Sequence, residues 1–190
     1  MTAVTAERIP KRRVALLVIV ALVVSALAAS ATAVALSSRS DLSSTRRRVD
    51  DTWVKLRPSL DVRYGHLKDA AGAARTRLGS PRSVFDDIDR AVSDWPGTAR
   101  QATDRQVAAA ADLEGLAARL AASVASTPRL RSASDVAAAM DRLHSTDTTA
   151  GRGAYNAAVD AYQRSRGGFP RRLVAGALGY EERRMLEVPL

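Results

Sequence analysis

The sequence predicts an all-α protein: an N-terminal transmembrane helix continuing into an antiparallel three- to four-helix bundle. Three observations predict it. Residues 14–36 are apolar and uncharged, and residues 53–78 carry apolar or small side chains nearly all at alternating steps of four and three. The chain is 46% apolar but only 4% aromatic, so alanine rather than large rings fills that fraction. A charge-free run of this length reads as a membrane span, a four-three stripe as a helix face awaiting burial, and ring-poor composition as closely packed helices.

The elements follow in order. Residues 1–13 form a short basic tail with Arg8, Lys11, Arg12 and Arg13. Residues 14–36 then cover the roughly 30 Å hydrocarbon core at about 1.5 Å per residue. Ser25, Ser30 and Thr32 are the polar interruptions, and their hydroxyls bond back to helix carbonyls at little cost. A cleaved signal peptide is the rival reading, since Ala31-Thr32-Ala33 has the small-x-small form of a cleavage site. The apolar run is longer than a usual signal core, which favours an uncleaved anchor. On the far flank Arg39, Arg46, Arg47 and Arg48 are mixed with Asp41 and Asp50. Charge bias therefore leans to a cytoplasmic N-terminus and an extracytoplasmic domain, single-pass in the plasma membrane.

Residues 37–49 hold neither Gly nor Pro, so the anchor helix should run on into the bundle. Residues 37–190 then form one domain. Its first helix buries Trp53, Leu56, Leu60, Tyr64, Leu67, Ala71, Ala74 and Leu78, with Pro58 expected to kink or break it. Gly79, Ser80 and Pro81 supply a stop, a cap and a first-turn proline. A short amphipathic helix with Val84, Phe85, Ile88 and Val92 follows, then the turn Asp94-Trp95-Pro96-Gly97. Thr98 with Gln101 makes a capping box for a helix over 98–126, striped by Val107, Leu113, Leu116, Leu120 and Val124. After Pro128, Ser132 with Asp135 offers a second box. The last helix carries Val136, Met140 and Leu143, weakens over 145–153, resumes with Tyr155, Val159 and Tyr162, and ends at Gly167-Gly168.

The last third of the chain contains Tyr155-Asn156, Val159, Tyr162, Phe169-Pro170, Leu173-Val174-Ala175-Gly176 and Gly179-Tyr180, with Glu187 near the end. This series resembles the C-terminal motif of the LemA family of membrane-anchored helical proteins. The anchor followed by Trp53, and Arg152 three residues before Tyr155, are similar too. Residues 60–67 and 146–149 depart from the family pattern, which marks a divergent member. The resemblance implies an anchored antiparallel three- or four-helix bundle, and it does not imply a reaction. Tyr155, Asn156, Val159, Tyr162, Phe169, Pro170, Leu173, Val174, Ala175, Gly176 and Gly179 are accordingly expected to pack helix ends rather than bind a ligand.

Chemistry is sparse. The chain has no cysteine, and His66 and His144 stand alone, so neither a thiolate site nor a metal-ligand spacing exists. No phosphate-cradling glycine loop or nucleophile elbow occurs. Asp86, Asp87 and Asp89 form the densest acidic cluster, which early in a helix reads as dipole complement rather than a cation site. No catalytic residue, metal or cofactor is expected. Net charge +9 and a pI near 10.9 suit anionic partners, yet the arginines are dispersed and rings for base stacking few, which argues against nucleic acid.

Helix lengths suggest one further arrangement. If the helix over 98–126 returns toward the lipid, the turn at Pro128 faces the membrane. Arg129 and Arg131 would then join Arg46, Arg47 and Arg48 in a lipid-facing basic collar, with residues 169–176 at the far end. The functional expectation is a non-enzymatic interaction or scaffold module that meets the bilayer and a membrane or envelope protein. The alternative is a secreted or basic bundle that binds anionic polymers, either lipid headgroups or nucleic acid.

Overall fold

A computed structural model describes residues 11–78, 83–168 and 171–187, with side chains from residue 39 onward. The apolar run at 14–36, expected to be an anchor, lies where only helical backbone is described, and Gly79, Ser80, Pro81, Phe169 and Pro170 fall outside the described residues. Among the described residues the chain is all-helical. The order is α1 Lys11–Leu78, α2 Ser83–Asp94, a 3-10 helix Trp95–Arg100, α3 Thr103–Ser126, α4 Pro128–Arg131, α5 Ser134–Ser145, α6 Thr149–Arg166 and α7 Arg171–Ala177. No helix among the residues searched is long and apolar enough to cross a membrane.

α1 is the mast on which everything else packs. Its stripe is buried as the four-three spacing demands: Trp53, Leu56, Leu60, Tyr64, Leu67, Ala71 and Ala74 are all at most 2% exposed, and Leu42 and Val49 extend the stripe toward the apolar run. Pro58 does not break the helix. It sits on the exposed side, where water can satisfy the carbonyl that its missing N–H leaves free. Two edge-on aromatic pairs tie α1 to its neighbours. Trp53 meets Tyr155 of α6 at 5.3 Å, and Tyr64 meets Trp95 at 4.9 Å. Opposite Leu56, a Cβ on Gly151 would lie 2.9 Å from Leu56 Cδ1, so α6 approaches α1 closely there.

The chain direction departs from the expectation. α2 runs back along α1, since Arg75 pairs with Asp86 and Asp89, and Trp95 reaches Asp61. α3 then travels outward again, from Thr103 beside Asp50 to Glu114 beside Arg63. α5 and α6 make the second return: Asp135 pairs with Arg77, and Ser165 bonds Thr45. The bundle is therefore up-down-up-down. The first return was hidden because the 12 residues of α2 and the 6 of the 3-10 helix look too short. At about 1.5 and 2.0 Å per residue they still span roughly 30 Å.

Neither expected capping box forms. Thr98 lies inside the 3-10 helix and its hydroxyl donates to Trp95 O at 2.7 Å, while α3 opens after Ala102 without a side-chain cap. α5 opens after Ala133, likewise uncapped. The competing partners are tertiary: Asp135 binds Arg77, and the Thr103 hydroxyl donates to Asp50 at 2.7 Å.

Candidate functional site

The described motif residues converge on the end of the bundle nearest the apolar run. On α6, Tyr155, Val159 and Tyr162 are fully buried. They lie three to four residues apart on one helix face. Beyond α7 the chain turns up and lies along α6 as an irregular segment. The ends of α6 side chains grip its backbone in sequence. Arg166 donates to Tyr180 O, Tyr162 to Glu181 O, Gln163 to Arg183 O and Tyr155 to Arg184 O, all between 2.8 and 3.0 Å. Asn156 completes the ladder in both directions, accepting from Leu186 N at 2.9 Å and donating to Leu186 O at 3.2 Å. An irregular backbone without sheet or helix partners is thereby satisfied by side chains.

The turn that delivers this segment has a defined cap. Gly179 sits at φ +69°, its N–H donating to Gly176 O, while Tyr180 N donates to Ala175 O. These are the two hydrogen bonds of a Schellman motif, and the left-handed position favours glycine. Gly168, at φ +82°, makes the corresponding reversal after α6. Ala175 is buried against the bundle, whereas Leu173 is 66% and Leu178 45% exposed.

Polar side chains that the sequence reading did not single out hold the interior. Arg183, 6% exposed, reaches down from the terminal segment to Asp104 at 2.7 Å and Asp50 at 3.2 Å, joining α1, α3 and the C-terminal segment. Glu114, 2% exposed, receives two hydrogen bonds from Arg63, which also donates to Leu143 O of α5. Gln106 accepts from Trp53 Nε1 and Arg57 and donates to Gln101 O. Arg57 additionally lies over the Trp95 ring at 4.4 Å. The only sequence signal was position: Arg63, Gln106 and Glu114 each adjoin a buried stripe residue, Tyr64, Val107 and Leu113.

Burial pushes the Tyr64, Tyr155 and Tyr162 phenols above their ordinary range, reinforced at Tyr64 by the Glu114 carboxylate and at Tyr155 by Asp104. A phenol held neutral this way donates hydrogen bonds and does not ionise. Among the described residues no group of three or more His, Cys, Asp or Glu gathers as a metal site. The acidic cluster is spent on arginines, Asp86 and Asp89 on Arg75 and Asp87 on Arg90 and Arg119. A surface cleft of about 400 Å³ beside Trp95 is bordered by Asp61 and Arg57, both already bonded to Trp95.

The five-arginine collar does not assemble. Arg46, Arg47 and Arg48 are exposed near α7, with Arg46 over the Tyr180 ring at 5.8 Å. Arg129 and Arg131 flank the turn before Asp135, which pairs with Arg77. The two sets are thus about 45 Å apart along α1. The reversal of α3 is the cause. Conversely, α7 comes to the end of the bundle nearest the apolar run, with Arg171 3.6 Å from Asp41. The sequence model of the LemA family matches residues 53–190. No curated protein matches the chain.

Proposed function

Because the chain belongs to the LemA family, we propose that it is a membrane-anchored, non-enzymatic helical-bundle protein, an interaction or scaffold module of the cell envelope. The supporting observation is the continuity of α1. One helix runs from Lys11, through the stretch that contains the apolar run, to Leu78 in the bundle. A continuous helix transmits orientation, so the anchor would hold the bundle at a set angle to the bilayer as well as keep it there. At the motif end Arg166 pairs with Glu182, and Arg183 with Asp50 and Asp104, so these charges serve structural pairs. That suits a surface that meets another protein better than one that turns over a substrate. The partner is a membrane or envelope protein, the compartment is the plasma membrane, and the bundle projects on the extracytoplasmic side.

Expression of the full chain followed by alkaline carbonate extraction tests the anchor. Retention in the membrane pellet is expected, and release into the supernatant would remove the reading. Protease added to intact cells should reach the bundle; protection until lysis would reverse the topology. The alternative, a basic bundle that binds anionic polymers, draws on the pI near 10.9. It predicts a salt-dependent shift of nucleic acid by the chain.

A further inference from the structure

We propose that α7 and the turn after it are a bilayer-contacting element: Leu173 and Leu178 enter the headgroup region of an anionic membrane while Arg171 and Arg172 meet lipid phosphates. The proposal rests on the anchor reading above and adds the place where the bundle touches lipid. Its first support is distance along one helix. Arg171 pairs with Asp41 of α1, and Asp41 follows Leu36, where the apolar run ends, by five residues. Five residues of helix rise about 7.5 Å, and the headgroup layer beyond the hydrocarbon is about 5–8 Å thick on each side. α7 therefore lies at headgroup depth.

Its second support is the composition of the exposed face. A seven-residue helix buries Ala175 and turns Leu173, 66% exposed, away from the core, and Leu178 in the turn that follows is 45% exposed. Arg171 and Arg172 are also exposed. Apolar side chains flanked by arginines form the pattern that inserts at the interface between headgroups and acyl chains. Neighbouring acids do not cancel the charge. Asp41 is matched to Arg171 and Glu182 to Arg166, leaving Glu181 and Asp51 against exposed Arg39, Arg46, Arg47, Arg48 and Arg172. Arg46, Arg47 and Arg48 stand about 15–18 Å beyond Leu36, more than a Debye length of about 8 Å past the apolar end. Their attraction is therefore largely screened, and the direct interaction falls to Arg172 and to Arg171, whose charge Asp41 shares.

Because the chain has no cysteine, Leu173→Cys gives a single attachment point for an environment-sensitive fluorophore. Val62→Cys, at a 55% exposed position on mid-bundle α1, gives a solvent-facing reference. Each labelled full-length protein is reconstituted into vesicles of phosphatidylcholine alone or with phosphatidylglycerol. Co-flotation, quenching by headgroup nitroxide lipid and quenching by aqueous iodide are then measured. The expected result is a label at 173 quenched by the lipid nitroxide and shielded from iodide, with the reverse at 62. Adding Arg171→Ser with Arg172→Ser should lower the docked-to-undocked ratio about 30-fold in anionic vesicles, and leave it unchanged in neutral ones. A label at 173 as open to iodide as that at 62, in protein that still floats, overturns the proposal and leaves the anchor reading standing. Shielding without lipid quenching, as a second copy would produce, overturns it as well. Failure to float removes the anchor reading, and this proposal with it.

Discussion

Replacing Arg63 with methionine should be among the most damaging single changes in the bundle, because it strands Glu114. Glu114 is 2% exposed and its carboxylate is held by Arg63 at 2.8 and 3.0 Å. In Arg63→Met the carboxylate stays buried with no countercharge, a situation that costs about 3–5 kcal/mol. Were the pair a surface contact, the same change would cost at most about 1 kcal/mol. At about 2–4 °C per kcal/mol for a chain of this size, the midpoint should fall by about 6–20 °C. Glu114→Leu should cost less, because Arg63 is 15% exposed and its long side chain can turn its charge to water. The double variant removes both charges and should recover most of the loss. A residual cost of about 1 kcal/mol remains for the hydrogen bond that Leu143 O loses. Thermal unfolding of the full-length chain in mild detergent, followed by far-ultraviolet circular dichroism over the four-member cycle, measures these terms. A loss below about 1 kcal/mol for Arg63→Met, or a double variant as unstable as the two singles summed, would refute the reasoning.

Four further outcomes follow from the same structure. Asn156→Ala removes both bonds to the Leu186 backbone, about 2 kcal/mol of local opening. Tryptic cleavage after Arg183 and Arg184 should quicken about 30-fold while the helical midpoint changes little. Raised phenol pKa values at Tyr64, Tyr155 and Tyr162 mean that the folded state keeps protons the unfolded chain releases near pH 10. Their contribution is complete below that pH and is lost above it, by up to about 1.4 kcal/mol per pH unit for each tyrosine. Alkaline titration of stability should therefore be shallower in Tyr64→Phe. At the acid end Asp135, lowered by its hydrogen bond from Arg77, and Asp147, lowered by the Thr149 N–H, contribute stability that disappears as pH falls below about 4. Finally, Gly151→Leu places side-chain atoms where a Cβ alone would already sit 2.9 Å from Leu56 Cδ1. The overpacking should cost about 1–3 kcal/mol in the same thermal assay.

By itself the sequence determined the helical class, the buried face of α1 and the stops that end the later helices. The reason is local: a four-three spacing makes one helix face apolar wherever it occurs, and Gly167-Gly168 halts α6 whatever packs against it. It also carried the motif from Tyr155 to Gly179, because tyrosines at helical spacing and a glycine at the cap position have distinct chemistry. Tertiary structure alone decided which way each helix runs. Direction is a property of pairs far apart in sequence, such as Arg77 with Asp135 and Thr45 with Ser165. A short α2 extended by a 3-10 helix was enough to reverse every later element. That reversal carried Arg129 and Arg131 away from the anchor end and brought Arg171, Arg172 and Leu173 to it. Tertiary structure also decided the use of the polar residues beside the stripe. Arg63, Gln106, Glu114 and Arg183 look like ordinary helix-surface or terminal residues until the facing element supplies the partner that makes their burial tolerable.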